Sequence, residues 1–335
     1  MQALVFEDKG RAVLRDLPVP DPGPGEVLVG MEVAGVCATD YHLLRGGHLV
    51  RFPLVPGHEL VGRVAALGEG VEGITPGERV AVHPVVACGT CAYCRKGLVQ
   101  HCLHFQALGV TRNGGFAEYL VAPAKNLYPV GDLSPERAVF AEPLGCVLWG
   151  LARLGPLLGE EVLLFGAGPI GLLLLQGFLL AGAVRVVVVD PVPERRRLAE
   201  TLGAAETLTP GEVPRLAEAY PLGFGVVAEA TGRPEVVEIM PSLARRGGRI
   251  FIFGVHPEEA RAALSPYKIY ARDLSLIGSF SLPDNLSEAL AFLREGRVRV
   301  DPLISERISL GDLPEHFRAR LEGKGLEKVK VLVRF

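Results

Sequence analysis

The sequence predicts an α/β protein of two domains: a β-rich first domain, and a second built on a doubly wound parallel sheet. Three observations carry this reading. The first third is rich in Gly and Pro and in short apolar runs bounded by turn residues. From about residue 150, apolar strands alternate with helical stretches, the pattern of a parallel sheet covered on both faces. The last forty residues return to short strands. The expected division is 1–150, 151–283 and 284–335, with the last segment rejoining the first domain.

Each element has its own signal. Val27–Val33, Leu60–Ala65 and Arg79–His83 read as strands, with turns at Pro22-Gly23-Pro24-Gly25 and Pro76-Gly77. Glu161–Phe165 reads as an apolar strand, Gly168–Ala181 as a helix, Arg185–Asp190 as a strand and Glu194–Leu202 as a helix. Gly225–Glu229, Arg249–Phe253 and Leu274–Gly278 add strands, Ser287–Arg294 a helix, and Val329–Phe335 a final strand. No internal repeat or low-complexity segment interrupts the order.

Bulk properties exclude several classes. With 335 residues, 49% hydrophobic and 22% charged, the chain can bury two ordinary cores. A net charge of −3 offers no basic patch for nucleic acid. The start, MQALVFEDKG, lacks a basic region followed by an apolar run, so a cytoplasmic protein is expected. Val162–Val184 is uncharged and long enough to span a bilayer. Gly166, Gly168, Pro169 and Gly171 in its first half suit a strand, a tight turn and a buried helix instead, so no membrane contact is expected.

Six cysteines are present: Cys37, Cys88, Cys91, Cys94, Cys102 and Cys146. Four stand as C-x2-C-x2-C-x7-C, a spacing that lets thiolates fold around one tetrahedral zinc. Four sulfurs leave no open position, so Cys88, Cys91, Cys94 and Cys102 predict a structural site in a lobe at about 84–105. His101 and His104 flank it as surface residues. A catalytic zinc needs about three protein ligands and an open position, and Cys37, His58 and Glu59 could supply them from two loops. Alone, a lone Cys is usually a buried small residue and a His-Glu pair a strand start. Position 62 is Gly, which excludes the metalloprotease motif.

Gly166-Ala167-Gly168-Pro169-Ile170-Gly171 follows an apolar strand and opens a helix. In that context G-x-G-x-x-G binds a dinucleotide: the glycines admit the pyrophosphate and the helix N-terminus attracts its charge. Asp190 ends the next strand, where a carboxylate binds ribose hydroxyls.

Together these residues resemble the zinc-containing medium-chain alcohol dehydrogenases over almost the whole chain. The likeness includes Pro22 to Val27, Cys37 to Asp40, Gly57-His58-Glu59 and the four-cysteine lobe. It continues through Gly114 to Tyr119, Glu142-Pro143-Leu144, the glycine fingerprint and Glu229-Ala230-Thr231-Gly232. The resemblance implies a GroES-like catalytic domain and a Rossmann cofactor domain. Cys37, His58 and Glu59 would hold the catalytic zinc, with Glu142 as alternate ligand or close partner. Thr39 and His42 would form a proton relay. Asp190, Arg195 and Ile170 would hold NAD, and Phe253, Gly254, Val255, Ser279 and Phe280 would touch it later in the domain. The Cys, His and Glu set is similar to that of the sorbitol and threonine dehydrogenase branch, whereas ethanol dehydrogenases carry Cys where Glu142 stands. Ala38 stands where Gly or His is common, and Cys146 matches no ligand position.

The expected activity is oxidation of a secondary hydroxyl on a polyol, with NAD as acceptor and L-threonine as the alternative substrate. Zinc can lower the pKa of a bound water from about 16 to about 7, and an alcohol should follow. A non-catalytic protein on the same fold would need neither the metal ligands nor the relay. A homo-oligomer, tetramer or dimer, is expected.

Overall fold

The first part of the chain and its end form a mixed, mostly antiparallel sheet, and continuous apolar runs in the middle form a parallel one. The structure is a computed structural model and describes residues 1–47 and 50–335. Two compact units emerge. The first comprises Met1–Gly145, Leu282–Gly296 and Ile304–Phe335, and the second Cys146–Ser281 and Arg297–Leu303.

The first unit is organised around the Glu26–Gly35 strand, buried along most of its length. In its seven-stranded sheet the order is Ile304–Ser309, Lys330–Arg334, Glu26–Gly35, Glu59–Leu67, Arg79–Val82 and Leu127–Pro129, with Tyr119–Pro123 also paired to the central strand. Register matters more than strand count. Gly35 pairs with Glu59 on one side and with Leu332 on the other. The end of the central strand is therefore flanked by the start of one neighbour and by the C-terminal strand. Phe6, Phe116 and Phe317 fill the core behind it, with the Phe6 and Phe317 rings edge to face at 5.2 Å.

The second unit carries a six-stranded parallel sheet. In chain order its strands are Glu161–Phe165, Arg185–Val189, Glu206–Leu208, Phe224–Glu229, Ala244–Ile252 and Ser275–Gly278. Across the sheet they run third, second, first, fourth, fifth, sixth, the doubly wound order. The fourth strand is buried at every position, as a strand covered on both faces must be. Helices Pro169–Leu180, Pro193–Thr201 and Pro234–Leu243 each begin with Pro, whose fixed φ suits a first helical position and whose missing N–H costs nothing there.

The units divide at 145/146 and 281/282, where the sequence suggested 150 and 283. Helix Ala141–Leu154 runs through the first join, so no turn residue marks it. Arg297–Leu303 packs with the second unit, because Gln176 bonds both main-chain groups of Arg299: Arg299 N–H donates to Oε1 at 2.7 Å and Nε2 donates to the carbonyl at 3.1 Å. The uncharged stretch 162–184 divides into a strand, a glycine turn and a twelve-residue helix. Among the described residues no helix is long and apolar enough to cross a membrane.

Candidate active site

Two short 3-10 turns, Cys94–Lys96 and Val99–His101, bend the cysteine segment back on itself. They bring the four sulfurs together: Cys91 to Cys94 at 3.5 Å, Cys88 to Cys94 at 4.0 Å and Cys91 to Cys102 at 4.0 Å. All four are free thiols. A tetrahedron with metal–sulfur bonds of about 2.3 Å has edges of about 3.8 Å, so the cluster has the dimensions of a zinc site. Main-chain N–H groups of Cys88 and His104 donate to Cys102 Sγ at 3.3 Å each. Hydrogen bonds from Thr90 and Cys91 draw the Cys88 thiol down to about 5, whereas desolvation and the neighbouring sulfurs push Cys94 up to about 12. A divalent cation would relieve that crowding.

The second cluster forms where the central strand of the first unit ends. Cys37 follows that strand and precedes helix Ala38–Leu44, while Glu59 opens its partner strand and His58 stands just before it. The ligand atoms of Cys37, His58 and Glu59 lie within 4.8 Å of one another. Gly35 makes room for them: a Cβ there would come within 2.0 Å of Glu59 Oε2.

Asp40, which the sequence analysis did not single out, organises this cluster from behind. It is fully buried; its Oδ2 accepts the Cys37 N–H at 2.9 Å, and its Oδ1 lies 3.4 Å from His58 Nδ1. Neither Oδ1 nor Nδ1 has a well-aligned hydrogen bond. A small turn of the ring would give Nδ1–H to Asp40 and leave Nε2 as a lone-pair donor, the usual arrangement behind a metal-bound histidine. Burial works to depress the His58 pKa, but Cys37 and Asp40 raise it well above its ordinary value. A thiolate, an imidazole and a carboxylate in such an anionic pocket fit zinc.

Lys330 is the residue least legible in the sequence. Its Nζ donates to both Glu59 carboxylate oxygens at 2.6 Å and to the Val36 carbonyl at 3.2 Å, with 1% of the residue exposed. The Phe140 ring lies 5.9 Å away. Burial opposes the charge, yet Glu59 and Cys37 together raise the Lys330 pKa above the ordinary range. Glu59 thus enters the cluster as half of a buried ion pair. Glu142, in the first turn of helix Ala141–Leu154, lies outside the tight group but close enough to add to the field on Lys330. Thr39 and His42 are three apart on helix Ala38–Leu44, hence on one face, and Thr39 Oγ1 stands 3.7 Å from Cys37 Sγ.

In the second unit, the glycine turn joins the first strand to helix Pro169–Leu180. Gly166 has φ +100°, and a Cβ on Gly171 would strike the Gly166 carbonyl at 1.9 Å, so helix and strand approach through glycine alone. Gly168 caps the helix, Ile170 sits in its first turn, and the Arg195 guanidinium is 3.9 Å from where a Gly168 Cβ would be. Asp190 follows the second strand. Its Oδ2 accepts the Ala167 N–H and its Oδ1 the Val192 N–H, each at 2.8 Å. Arg196 Nη1 donates to the Asp190 carbonyl at 2.7 Å. Phe253, Gly254 and Val255 follow the fifth strand, and Ser279 and Phe280 the sixth. All these residues stand at the carboxyl ends of the parallel strands, where open α/β sheets bind ligands.

Residues 23–132 match the alcohol dehydrogenase GroES-like domain family and residues 169–295 the zinc-binding dehydrogenase family. D-altritol 5-dehydrogenase of Agrobacterium fabrum is 38% identical, covering 98% of this chain and 99% of its own length. D-arabinitol dehydrogenase 1 of Uromyces fabae is 35% identical over 94% of this chain and 92% of that one. L-threonine 3-dehydrogenase of Pyrococcus horikoshii is 33% identical over 88% of each. Among solved structures, a chain from Sinorhizobium meliloti 1021 described as a zinc-binding dehydrogenase and bound to NADP superposes with a TM-score of 0.94. It is 36% identical and covers 100% of this chain and 99% of its own.

Proposed function

The chain belongs to the zinc-binding, GroES-like alcohol dehydrogenase family, and from that premise we propose that it oxidises a secondary hydroxyl of a polyol or sugar alcohol with NAD as hydride acceptor. The observation that carries this reading is the Cys37, His58 and Glu59 group with Asp40 behind His58. Cys37, His58 and one of Glu59 and Glu142 would hold a catalytic zinc, and Cys88, Cys91, Cys94 and Cys102 a structural one. When bound, zinc would supply the Lewis acidity that makes an alcohol hydroxyl acidic, and the nicotinamide would accept the hydride.

The chain's own residues do the rest. Thr39 Oγ accepts the hydrogen bond of the substrate hydroxyl, and His42, one turn further along the same helix face, passes the proton toward solvent. Asp40 fixes the tautomer and orientation of His58. Lys330 balances the charge of Glu59, so that the pocket's anions do not cancel the pull of a cation on the substrate oxygen. Asp190, Arg195 and Ile170 would receive the adenosine and pyrophosphate end, and residues 253–255 and 279–280 the other. Asp190 favours NAD over NADP by repelling a 2′-phosphate, tempered by Arg195, Arg196 and Arg197.

For the substrate, the support is that the altritol and arabinitol enzymes align over nearly the whole chain. The L-threonine 3-dehydrogenases reach similar identity over less of the chain, 33% over 88% and 37% over 78%, against 98% and 94% for the two polyol enzymes. An NADH-formation screen over D-altritol, D-arabinitol, 2,3-butanediol, L-threonine and primary alcohols, scored as kcat/KM, tests it. A polyol should lead. A hundredfold lead by L-threonine would replace the substrate, and a lead by primary aliphatic alcohols would refute both choices.

A reducing compartment, the cytoplasm, suits six cysteines with no disulfide among them. A homo-oligomer is favoured by the Ser275–Gly278 strand, which ends the parallel sheet with Leu276 exposed and with Tyr267 and Tyr270 exposed on the preceding helix. Light scattering on the purified protein tests the dimer and tetramer readings.

A further inference from the structure

Glu229 ends the fourth strand of the parallel sheet with a carboxylate that no solvent reaches. Its Oε2 accepts three hydrogen bonds, each at 3.0 Å: from the Thr231 N–H, the Thr231 hydroxyl and the Gly232 N–H. Its Oε1 accepts the Gly254 N–H at 2.9 Å. The carbonyl of the same residue accepts from the Phe253 and Gly254 N–H groups at 3.1 Å. One residue thereby knots the loop after the fourth strand to the loop after the fifth. The knot has no slack. A Cβ on Gly254 would meet the Gly232 nitrogen at 2.4 Å and Glu229 Oε2 at 2.7 Å, and Gly232, with φ +66°, would press a Cβ to 2.3 Å from the Val255 carbonyl. His256 closes the ring, its Nδ1 2.9 Å from the Gly254 carbonyl and its Nε2 3.8 Å from Glu229 Oε1.

The position of this knot in the sheet gives it a meaning. Strand order reverses between the first and fourth strands. The glycine turn and Asp190 lie on one side of that switch point, and Glu229 with residues 253–255 on the other. A dinucleotide lies across such a point with one nucleotide on each side. With Asp190 on the adenosine side, the knot stands on the side that the nicotinamide nucleotide would take.

We propose that Glu229 is a positioning residue that shapes the main chain at 231–232 and 253–255 to receive the nicotinamide half of the cofactor. The inference rests on the dinucleotide reading above and adds to it a residue that touches neither cofactor nor substrate. A carboxylate suits the task because both its oxygens only accept. Gln offers one acceptor and one NH2 group, so it can tie one loop while setting a donor against the N–H groups of the other.

The test measures binding by calorimetry on the zinc-loaded protein without substrate, using NAD for the whole crevice and ADP for the adenosine half. In Glu229→Gln, NAD affinity should fall at least tenfold while ADP stays within threefold. Should that variant fail to fold, Thr231→Val removes one of the four bonds to the carboxylate and should weaken NAD about threefold with ADP unchanged. Equal weakening of NAD and ADP, or of neither, overturns the inference and leaves the dinucleotide reading standing. Failure of the unaltered protein to bind either ligand overturns that reading itself, and the inference with it.

Discussion

Replacing Lys330 by Met would remove the positive half of an ion pair whose carboxylate half is 1% exposed. The Glu59 charge would then remain in place without water or counter-ion. Breaking a buried pair from one side costs about 3–5 kcal/mol. For a domain of 150–250 residues, each 1 kcal/mol lowers Tm by about 2–4 °C, so the expected loss is about 6–20 °C in protein that keeps zinc in the four-cysteine lobe and has lost it from the Cys37 cluster. Removing both charges is a different perturbation. Volume-matched neutral side chains often replace a buried pair at little net cost, and Lys330→Met combined with Glu59→Gln should recover most of the lost stability. Scanning calorimetry on the unaltered protein, the two single variants and the double variant gives the coupling directly. Zinc adds a second arm, because a cation beside Glu59 partly replaces the lost charge. The deficit of Lys330→Met should therefore shrink when zinc is present. A Tm loss below 2 °C, or a double variant no more stable than the Lys330 single variant, would refute this account of the pair.

Other perturbations separate the two clusters. Gly35→Ala should force Glu59 aside, and elemental analysis should then find one zinc per chain where the unaltered protein holds two. Cys37→Ser should also lose one zinc and turnover while keeping the unaltered circular dichroism; Cys91→Ser should lose soluble folded protein, since a structural zinc contributes about 10–16 kcal/mol of binding. Glu136 bears on acid stability, because Arg307 and Arg334 draw its carboxyl from the ordinary 4.5 to about 2. A depressed carboxylate gives stability that is present above the ordinary pKa and lost as pH falls through the folded value. Acid unfolding curves of the unaltered protein and Glu136→Gln should differ by about 1 kcal/mol at pH 7 and converge as pH falls from about 4.5 toward 2; a constant offset down to pH 2 would count against it.

The second unit was the more legible of the two. Glu161–Phe165 matches the sequence reading residue for residue, and Gly168–Ala181 and Glu194–Leu202 lie within one residue of the observed helix ends. Buried parallel strands and helix Pro169–Leu180 advertise themselves as uninterrupted apolar runs broken by Gly and Pro, whereas helix Pro193–Thr201 is polar and shows itself by its place between two strands. The Ala244–Ile252 strand was caught only from Arg249, because its first half, Ala-Arg-Arg-Gly-Gly, has no apolar pattern. The opening strands Gln2–Asp8 and Arg11–Asp16 were not singled out. Among the candidate functional residues, local motifs revealed the cysteines, His58 and Glu59 in the first unit and the glycine turn in the second. Lys330 stayed hidden because its partner is 271 positions away and its surroundings, Glu327-Lys328-Val329-Lys330, look like an ordinary solvated strand start. Its place follows from strand register beside Gly35, which local sequence does not contain.

Three buried acids, one in the first unit and two in the second, share a physical role that motif reading overlooks. Asp40 accepts the N–H of Cys37, Asp190 those of Ala167 and Val192, and Glu229 those of Thr231, Gly232 and Gly254. Asp190 and Glu229 stand where a strand ends, and Asp40 in the first turn of the helix that follows one, and each meets main-chain donors of the connecting loop that have no ladder partner. Buried donors left unpaired cost about 1–3 kcal/mol each, and a carboxylate can satisfy several at once. Asp40 and Asp190 are therefore loop organisers as well as candidate neighbours of metal or cofactor, and Glu229 a loop organiser alone. An alanine substitution would remove both roles together and mimic the loss of a ligand contact. Asn or Gln keeps the shape and some acceptors while removing the charge, so comparison of amide and alanine variants separates the two. For Asp190, a role confined to the 2′-phosphate would let the Asn variant gain NADP affinity with unchanged Tm. A role in the turn lowers Tm and weakens NAD and NADP together, and the two backbone bonds on Asp190 make that second result the expected one for alanine.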